Sequence, residues 1–244
     1  PLLIFKIIPF LKKYDIIHVH LFPAQYFVVI AKLFSFTKVK LIFTEHSTNN
    51  RRLENPIFKW IDKFIYKFYN RIICITNGVY NIIQKHTNLP ANRLQIIQNG
   101  VNIAIIRQAE AIGKKQVLPS FEVGDKLLIQ VASFNPSKDQ ATLIKAMMHL
   151  PDNVKLILVG DGALKSKFEV LVTSLSLNNR VQFLGIRMDV SSLLKAADIC
   201  ILSSNWEGFG LVVIEGMASG KPFIAADVPG LKEIVGGAGL LFSQ

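Results

Sequence analysis

Ala197-Asp198-Ile199-Cys200-Ile201-Leu202-Ser203-Ser204-Asn205-Trp206-Glu207-Gly208-Phe209-Gly210-Leu211-Val212-Val213-Ile214-Glu215-Gly216-Met217-Ala218 is the stretch on which the fold turns. Its first six residues form an apolar run of the kind that fills a parallel strand buried on both faces. Small and polar residues with two glycines follow, and after Gly210 the segment reads as a helix. Strand, glycine turn and helix start, in that order, open a βαβ unit. A helix N-terminus turns unpaired N–H groups and the positive end of its dipole outward, and Gly208 and Gly210 let an anion approach the backbone. A phosphate is the expected occupant. Glu207 falls beside it, and Glu215 lies about 12 Å further on if the whole stretch is helical at about 1.5 Å per residue. Glu215 is also surrounded in sequence by apolar residues, where a glutamate needs a polar partner. Acids flanking a phosphate site suit a nucleotide sugar, whose sugar and ribose hydroxyls flank a diphosphate. The alternative is a solvated loop acid and an exposed helix residue.

The same alternation runs the length of the chain. Apolar runs at 15–20, 39–44, 71–76 and 94–97, then at 126–132, 154–159, 181–184, 199–202 and 222–225, are separated by helical stretches. This predicts an α/β chain of two Rossmann-like lobes with parallel sheets. The stretch 101–125 lacks a long apolar run and holds Gly113, Lys114, Lys115 and Pro119. The expected division is therefore 1–105 for a first lobe, 106–124 for a linker and 125–244 for a second lobe. Open parallel sheets bind ligands beyond the carboxyl ends of their strands. His20, His46, Ser133, Gly160, Asp161, Gly162, Gly185 and Glu207 fall at such ends.

Glu207-Gly208-Phe209-Gly210-Leu211 with Glu215, followed by Met217-Ala218-Ser219-Gly220-Lys221-Pro222, resembles the two-glutamate signature of the family 4 retaining glycosyltransferases of GT-B fold. Further blocks follow in that family's order: Ile96-Ile97-Gln98-Asn99-Gly100-Val101-Asn102, Leu127 to Ser133 with Lys138, Leu158-Val159-Gly160-Asp161-Gly162, and Val181-Gln182-Phe183-Leu184-Gly185. The resemblance covers nearly the whole chain. It implies two facing lobes, with a nucleotide-diphosphate sugar donor held mainly by the C-terminal one. It further implies transfer of a hexose-type sugar, with retention, to a hydroxyl of a lipid-linked or saccharide acceptor. No cofactor or metal is implied. The catalytic residues it implies are Glu207 on the donor sugar, Lys138 on the diphosphate and His46 closing the site from the other lobe. For donor binding it implies Ser133, Gly160, the backbone of Leu184 and Gly185 near the base, the backbone of Gly208, Phe209, Gly210 and Leu211 on the diphosphate, and Glu215 on the ribose.

One position departs from the family. Ser133 stands where the family carries the arginine of a glycine-arginine pair, so a clamp of two cations reduces to Lys138, alone or with Lys221, Lys232 or Arg187. Two other readings stay open: a sugar-nucleotide epimerase of similar fold, and a catalytically degenerate nucleotide-sugar-binding subunit.

Composition sets the remaining bounds. Half of the 244 residues are hydrophobic, ample for folded cores. Lys6 and Lys32 interrupt the early apolar runs before the roughly 18 residues a membrane span needs, and no cleavage-site pattern appears. No transmembrane helix is expected, and both ends, Pro1 and Gln244, are expected to be cut. Cys74 and Cys200 sit in apolar runs, which predicts buried thiols in a reducing compartment. His18 and His20 share a strand face, but no third ligand has metal-site spacing. The net charge of +11 is uneven: residues 1–120 carry 17 Lys+Arg against 5 Asp+Glu, the rest 11 against 12. An anionic surface is the expected partner of the first half, with no nucleic acid. From Leu53 to Tyr69 a helix is expected, with Lys59, Lys63 and Lys67 on one stripe and Ile57, Trp60, Ile61, Phe64 and Phe68 opposite. Such a helix lies on an anionic bilayer or packs on its own sheet with the lysines solvated. The expected location is cytoplasmic, peripheral on the inner face of the plasma membrane.

Overall fold

The computed structural model describes residues 2–47 and 55–243. Thr48 and the first residues of the helix expected from Leu53 lie outside them. The chain divides into two compact units, Pro1–Asn99 and Gly100–Gln244.

The first unit runs α1 (Leu2–Lys13), β1 (Ile16–His20), α2 (Ala24–Ser35), β2 (Lys40–Glu45), α3 (Pro56–Tyr66), β3 (Arg71–Cys74), α4 (Asn77–Thr87) and β4 (Leu94–Ile96). Its four strands are parallel in the order β1-β2-β3-β4. Val19, Leu41, Phe43, Ile72 and Cys74 are buried along them. Thr76 caps α4 by accepting from the Val79 N–H, and Asn55 caps α3 by accepting from Ile57 and Phe58, with Pro56 at the first helical position.

Helix α3 corrects one expectation. Its inward face is Asp62, Ile65 and Tyr66, whereas Ile57 and Trp60 are 70% and 72% exposed and Phe64 is exposed too. Polar contacts turn the helix this way. Tyr66 donates to Glu45 (2.7 Å), and the buried Asp62 carboxylate accepts from Tyr26 and from Gln25 (3.3 Å). A buried carboxylate must keep such partners, so the aromatic stripe faces outward.

The second unit runs α5 (Ile103–Gln108), α6 (Lys114–Val117), β5 (Lys126–Val131), α7 (Gln140–Ala146), β6 (Val154–Val159), α8 (Lys165–Ser174), β7 (Val181–Gly185), α9 (Val190–Ala196), β8 (Ile199–Leu202), α10 (Leu211–Ala218), β9 (Phe223–Ala226), α11 (Lys232–Val235) and β10 (Leu240–Phe242). Six parallel strands lie in the order β10-β9-β8-β5-β6-β7. Alternate side chains feed the two faces, as a strand's period of two requires. Leu127, Ile129, Ile157 and Val159 join Val213 and Phe223 in one core, while Leu128, Leu156 and Leu158 join Phe134, Ile144 and Phe168 in the other.

The stretch expected as a linker belongs to this unit. Val117, Leu118 and Phe121 are buried in its core, and Lys114 pairs with Asp198 at 2.6 Å. Cys74 and Cys200 are buried and unpaired, as read from the sequence, and burial pushes both thiols up to about 12. No described helix is long and apolar enough to cross a membrane.

Candidate active site

The second sheet reverses its order at β5 and β8: β5 leads to β6 on one side and lies against β8 on the other. A crevice opens at such a switch point, beyond the carboxyl ends of the strands. The loop after β5 carries Ser133 to Asp139, and the loop after β8 carries Ser203 to Gly210. Asn205 stitches them together. Its N–H donates to the Ser137 carbonyl and its side-chain amide to that of Pro136, both at 2.8 Å. Across this seam the Lys138 ammonium and the Glu207 carboxylate form a contact ion pair. Their side chains are only 18% and 15% exposed, so neither is a solvated surface group. Glu207 also accepts from the Gly208 N–H (3.2 Å) and from the Ser204 hydroxyl (3.4 Å).

Gly210 caps α10 in the left-handed conformation (φ 73°), where a side chain would press on Leu231 at 2.6 Å. Having no side chain, it satisfies none of the helix's first N–H groups. The amides of Leu211 and Val212 have no acceptor within the helix and form a site for an anion. The strand ends beside this turn are laced together. The Phe134 N–H donates to the Asp161 carbonyl (2.9 Å) and the Gly160 N–H to that of Gly185 (2.8 Å). Leu184 is half-buried, and Ser133 is exposed, its hydroxyl accepting from Asn135 at 2.8 Å.

The structure thus brings Ser133, Lys138, Gly160, Leu184, Gly185, Glu207, Gly208, Phe209, Gly210 and Leu211 to one edge of one sheet. Because α10 starts only at Leu211, Glu215 is about 6 Å from the helix start at 1.5 Å per residue, not 12 Å down a helix from Glu207. Its carboxylate has no hydrogen-bond or ion partner among the described residues, and burial raises its pKa.

A group held more protonated in the folded state gives stability that is lost as pH rises through its raised pKa. At neutral pH the Glu215 charge therefore opposes folding. Glu215→Gln is expected to raise Tm at pH 7.5, by about 2–4 °C for each 1 kcal/mol relieved, and to lose that advantage near pH 4. Thermal melts at the two pH values check the gain and its loss.

The other cations weighed as companions to Lys138 are engaged elsewhere. Arg187 grips Asp189 through two bonds of 2.8 and 2.5 Å and holds that carboxyl below its usual range. Lys232 lies 3.3 Å from Asp227. Lys221 precedes β9, at the opposite edge of the sheet. Lys138 is left as the cation facing the turn before α10.

His46 lies in the first unit, beyond β2. Its Nε2 is 3.0 Å from His20 Nδ1, the His18 and His20 rings are 4.2 Å apart, and His18 Nε2 is 2.8 Å from the Thr44 hydroxyl. Burial first, then the neighbouring histidines, hold His46 and His18 below the usual imidazole value. Both causes favour the uncharged imidazole of His46. The cluster follows from the register that sets His18 opposite Ile42 and His20 opposite Thr44, which sequence spacing alone does not give. Among the described residues no group of three or more His, Cys, Asp or Glu is placed to hold a metal ion. Asn205 went unmarked in the sequence, where its only signal is its position between two motifs.

Known proteins share this architecture. The family described as "Glycosyl transferases group 1" matches residues 114–243, and that described as "Glycosyltransferase Family 4" matches residues 1–105. The chain belongs to the group 1 glycosyl transferases. Among its relatives, the Escherichia coli UDP-Gal:alpha-D-GlcNAc-diphosphoundecaprenol alpha-1,3-galactosyltransferase is 28% identical over 90% of this chain and 59% of that protein. The Bacillus anthracis N-acetyl-alpha-D-glucosaminyl L-malate synthase is 29% identical over 91% of this chain and 58% of that protein. Anabaena HepE, crystallised with UDP-glucose, superposes with a TM-score of 0.86 at 25% identity, over 99% of this chain and 68% of that one. The chain thus spans about 60% of the length of the curated relatives it matches. Its two parallel-sheet α/β units are those of a GT-B glycosyltransferase.

Proposed function

We propose that this group 1 glycosyl transferase moves a hexose-type sugar, with retention, from a UDP-sugar to a hydroxyl of a lipid-linked or saccharide acceptor. The observation that carries this reading is the Lys138–Glu207 pair at the switch point, facing the unpaired amides at the start of α10. The diphosphate takes the amides and Lys138, which stabilises charge developing on the leaving group. Glu207, released from Lys138, accepts from hydroxyls of the transferring sugar, and Glu215 accepts from the ribose. The bond between the anomeric carbon and the phosphate oxygen breaks with its electron pair left on the diphosphate. The acceptor oxygen bonds to the same face of that carbon, and its proton passes to a donor phosphate oxygen. No side-chain nucleophile, cofactor or metal is called for.

The UDP donor is supported by the nucleotide named for the HepE complex and for the E. coli relative. A polyprenyl-diphosphate-linked acceptor is supported by the latter. Mass spectrometry of products from a panel of UDP-sugars with polyprenyl-linked and soluble acceptors is the test. Sugar transfer to the lipid-linked acceptor is the expected outcome. Nucleotide release without transfer would favour an epimerase, and donor binding without turnover a binding subunit.

A lipid-linked acceptor places the enzyme at a membrane, and we propose that the first unit docks peripherally on its cytoplasmic face. Supporting this, α3 exposes Ile57, Trp60 and Phe64 alongside Lys59, with Lys63 half-buried and Lys67 exposed just beyond its end. Apolar side chains among lysines suit an anionic interface. At about 1 kcal/mol per lysine near anionic lipid, a triple Lys→Gln variant at 59, 63 and 67 should bind anionic vesicles roughly 100-fold more weakly. Sedimentation with anionic and neutral vesicles at low and high salt checks it. Binding indifferent to lipid charge, salt and the lysines would end the electrostatic reading.

A further inference from the structure

We infer that Gln130 and Ser203, two buried side chains given no role so far, are positioning residues that fix the Lys138 ammonium at the diphosphate site; the inference rests on the donor reading just given. Gln130 is the fifth residue of β5 and only 1% exposed, among Leu127, Leu128 and Ile129 on a strand that is otherwise apolar inside. An amide in such a place is costly unless bonded. Its Nε2 donates to the Lys138 carbonyl (3.1 Å) and to the Ser203 hydroxyl (3.2 Å). Ser203, also 1% exposed, directly follows β8. Its hydroxyl lies 3.1 Å from the Lys138 carbonyl and 2.9 Å from that of Asp139. Two consecutive carbonyls of the loop are therefore held by side chains rooted in β5 and β8, which are themselves paired at Leu128–Ile199 and Ile129–Cys200.

This anchoring bears on function because of what the loop carries. Asp139 takes the left-handed conformation (φ 42°) as it caps α7. A loop with such a backbone needs outside support to hold one geometry. The Lys138 side chain is long and flexible, so the place of its ammonium depends on a fixed backbone beneath it. With Ser133 contributing no cation, the diphosphate depends on Lys138, and a misplacement near 1 Å is enough to lose much of an oriented interaction. Both side chains bond to the loop backbone beneath the ammonium. They act through Lys138.

Calorimetric titration with UDP of wild type, Gln130→Leu, Lys138→Met and the double variant tests this, with Ser203→Ala as a second and smaller perturbation. Gln130→Leu is expected to weaken UDP binding about tenfold when Lys138 is present and less than twofold in the Lys138→Met background, the non-additivity of residues acting as one unit. Ser203→Ala should show the same pattern with a smaller loss. Equal losses in both backgrounds, or no loss in the Lys138 background, would assign Gln130 and Ser203 to stability alone and overturn the inference while leaving the donor reading standing. Wild type that fails to bind UDP would sink the donor reading itself, and this inference with it.

Discussion

Glu207→Ala is expected to lower sugar transfer by about 10²- to 10³-fold, the loss typical when one group aimed at the transition state is removed, while UDP should bind as tightly as before or more tightly. The two effects have one cause. The Glu207 carboxylate holds the Lys138 ammonium, so an incoming diphosphate competes with it for that cation. Deleting the carboxylate frees Lys138 for UDP, which carries no hexose for Glu207 to bind. With an intact donor the same deletion removes contacts to the ring that strengthen as its bond to phosphate breaks, and kcat falls. Glu215→Ala should do the reverse. A ribose contact is the same in ground and transition states, so its loss appears in UDP affinity, by about tenfold, with kcat little changed. UDP titration and transfer kinetics on both variants separate the roles. An equal loss of UDP affinity from the two changes would show that Glu207 and Glu215 do not divide the donor between sugar and ribose.

Much of this was legible in the sequence, for a physical reason. Strands buried on both faces read as unbroken apolar runs, and the nine runs marked by that rule fall on β1 to β9 with ends shifted by at most two residues. β10 escaped because it has three residues and follows Gly236, Gly237 and Gly239, where no run can build. The inward face of α3 escaped for another reason. Apolar periodicity named a stripe through Trp60 and Phe64, but the helix is oriented by the hydrogen bonds of Asp62 and Tyr66. Buried polar groups outrank apolar area when only one arrangement satisfies them. Residues 114–121 read as a linker because their buried positions, Val117, Leu118 and Phe121, are too few to show a period.

At the site, Glu207 and Lys138 were each visible from their own motifs, but their pairing was not. They are 69 residues apart and meet only because β5 lies against β8 and Asn205 ties the two following loops together. Gln130 gave one sequence signal, an amide inside an apolar strand. Nothing in that signal says where the amide points.

Gly160→Ala is expected to cost the second unit about 3–5 kcal/mol, placing it among the large single-residue effects that come from a named steric cause. Gly160 has φ 133°, a region that a side chain rarely tolerates, and a Cβ built there lies 2.1 Å from the Ala132 carbonyl oxygen and 2.9 Å from its carbon. Backbone cannot turn aside as a side-chain tip does. Nor can the strands part freely, since the Ala132 N–H donates to the Val159 carbonyl (2.9 Å) and the Gly160 N–H to that of Gly185 (2.8 Å). Gly185→Ala is the control. Its φ of 65° is also left-handed, but no atom lies within 4 Å of the added carbon, so only the torsional cost of about 1–2 kcal/mol applies. Denaturant unfolding reads the difference. Trp60 and Trp206 lie one in each unit, and changing either to Phe leaves the other as sole reporter. The Trp206 transition should move to lower denaturant in Gly160→Ala and by much less in Gly185→Ala. If the two variants were equally stable, the ends of β5 and β6 would have to separate at little cost, and the loop bearing Lys138 would lose the rigid neighbour that its placement requires.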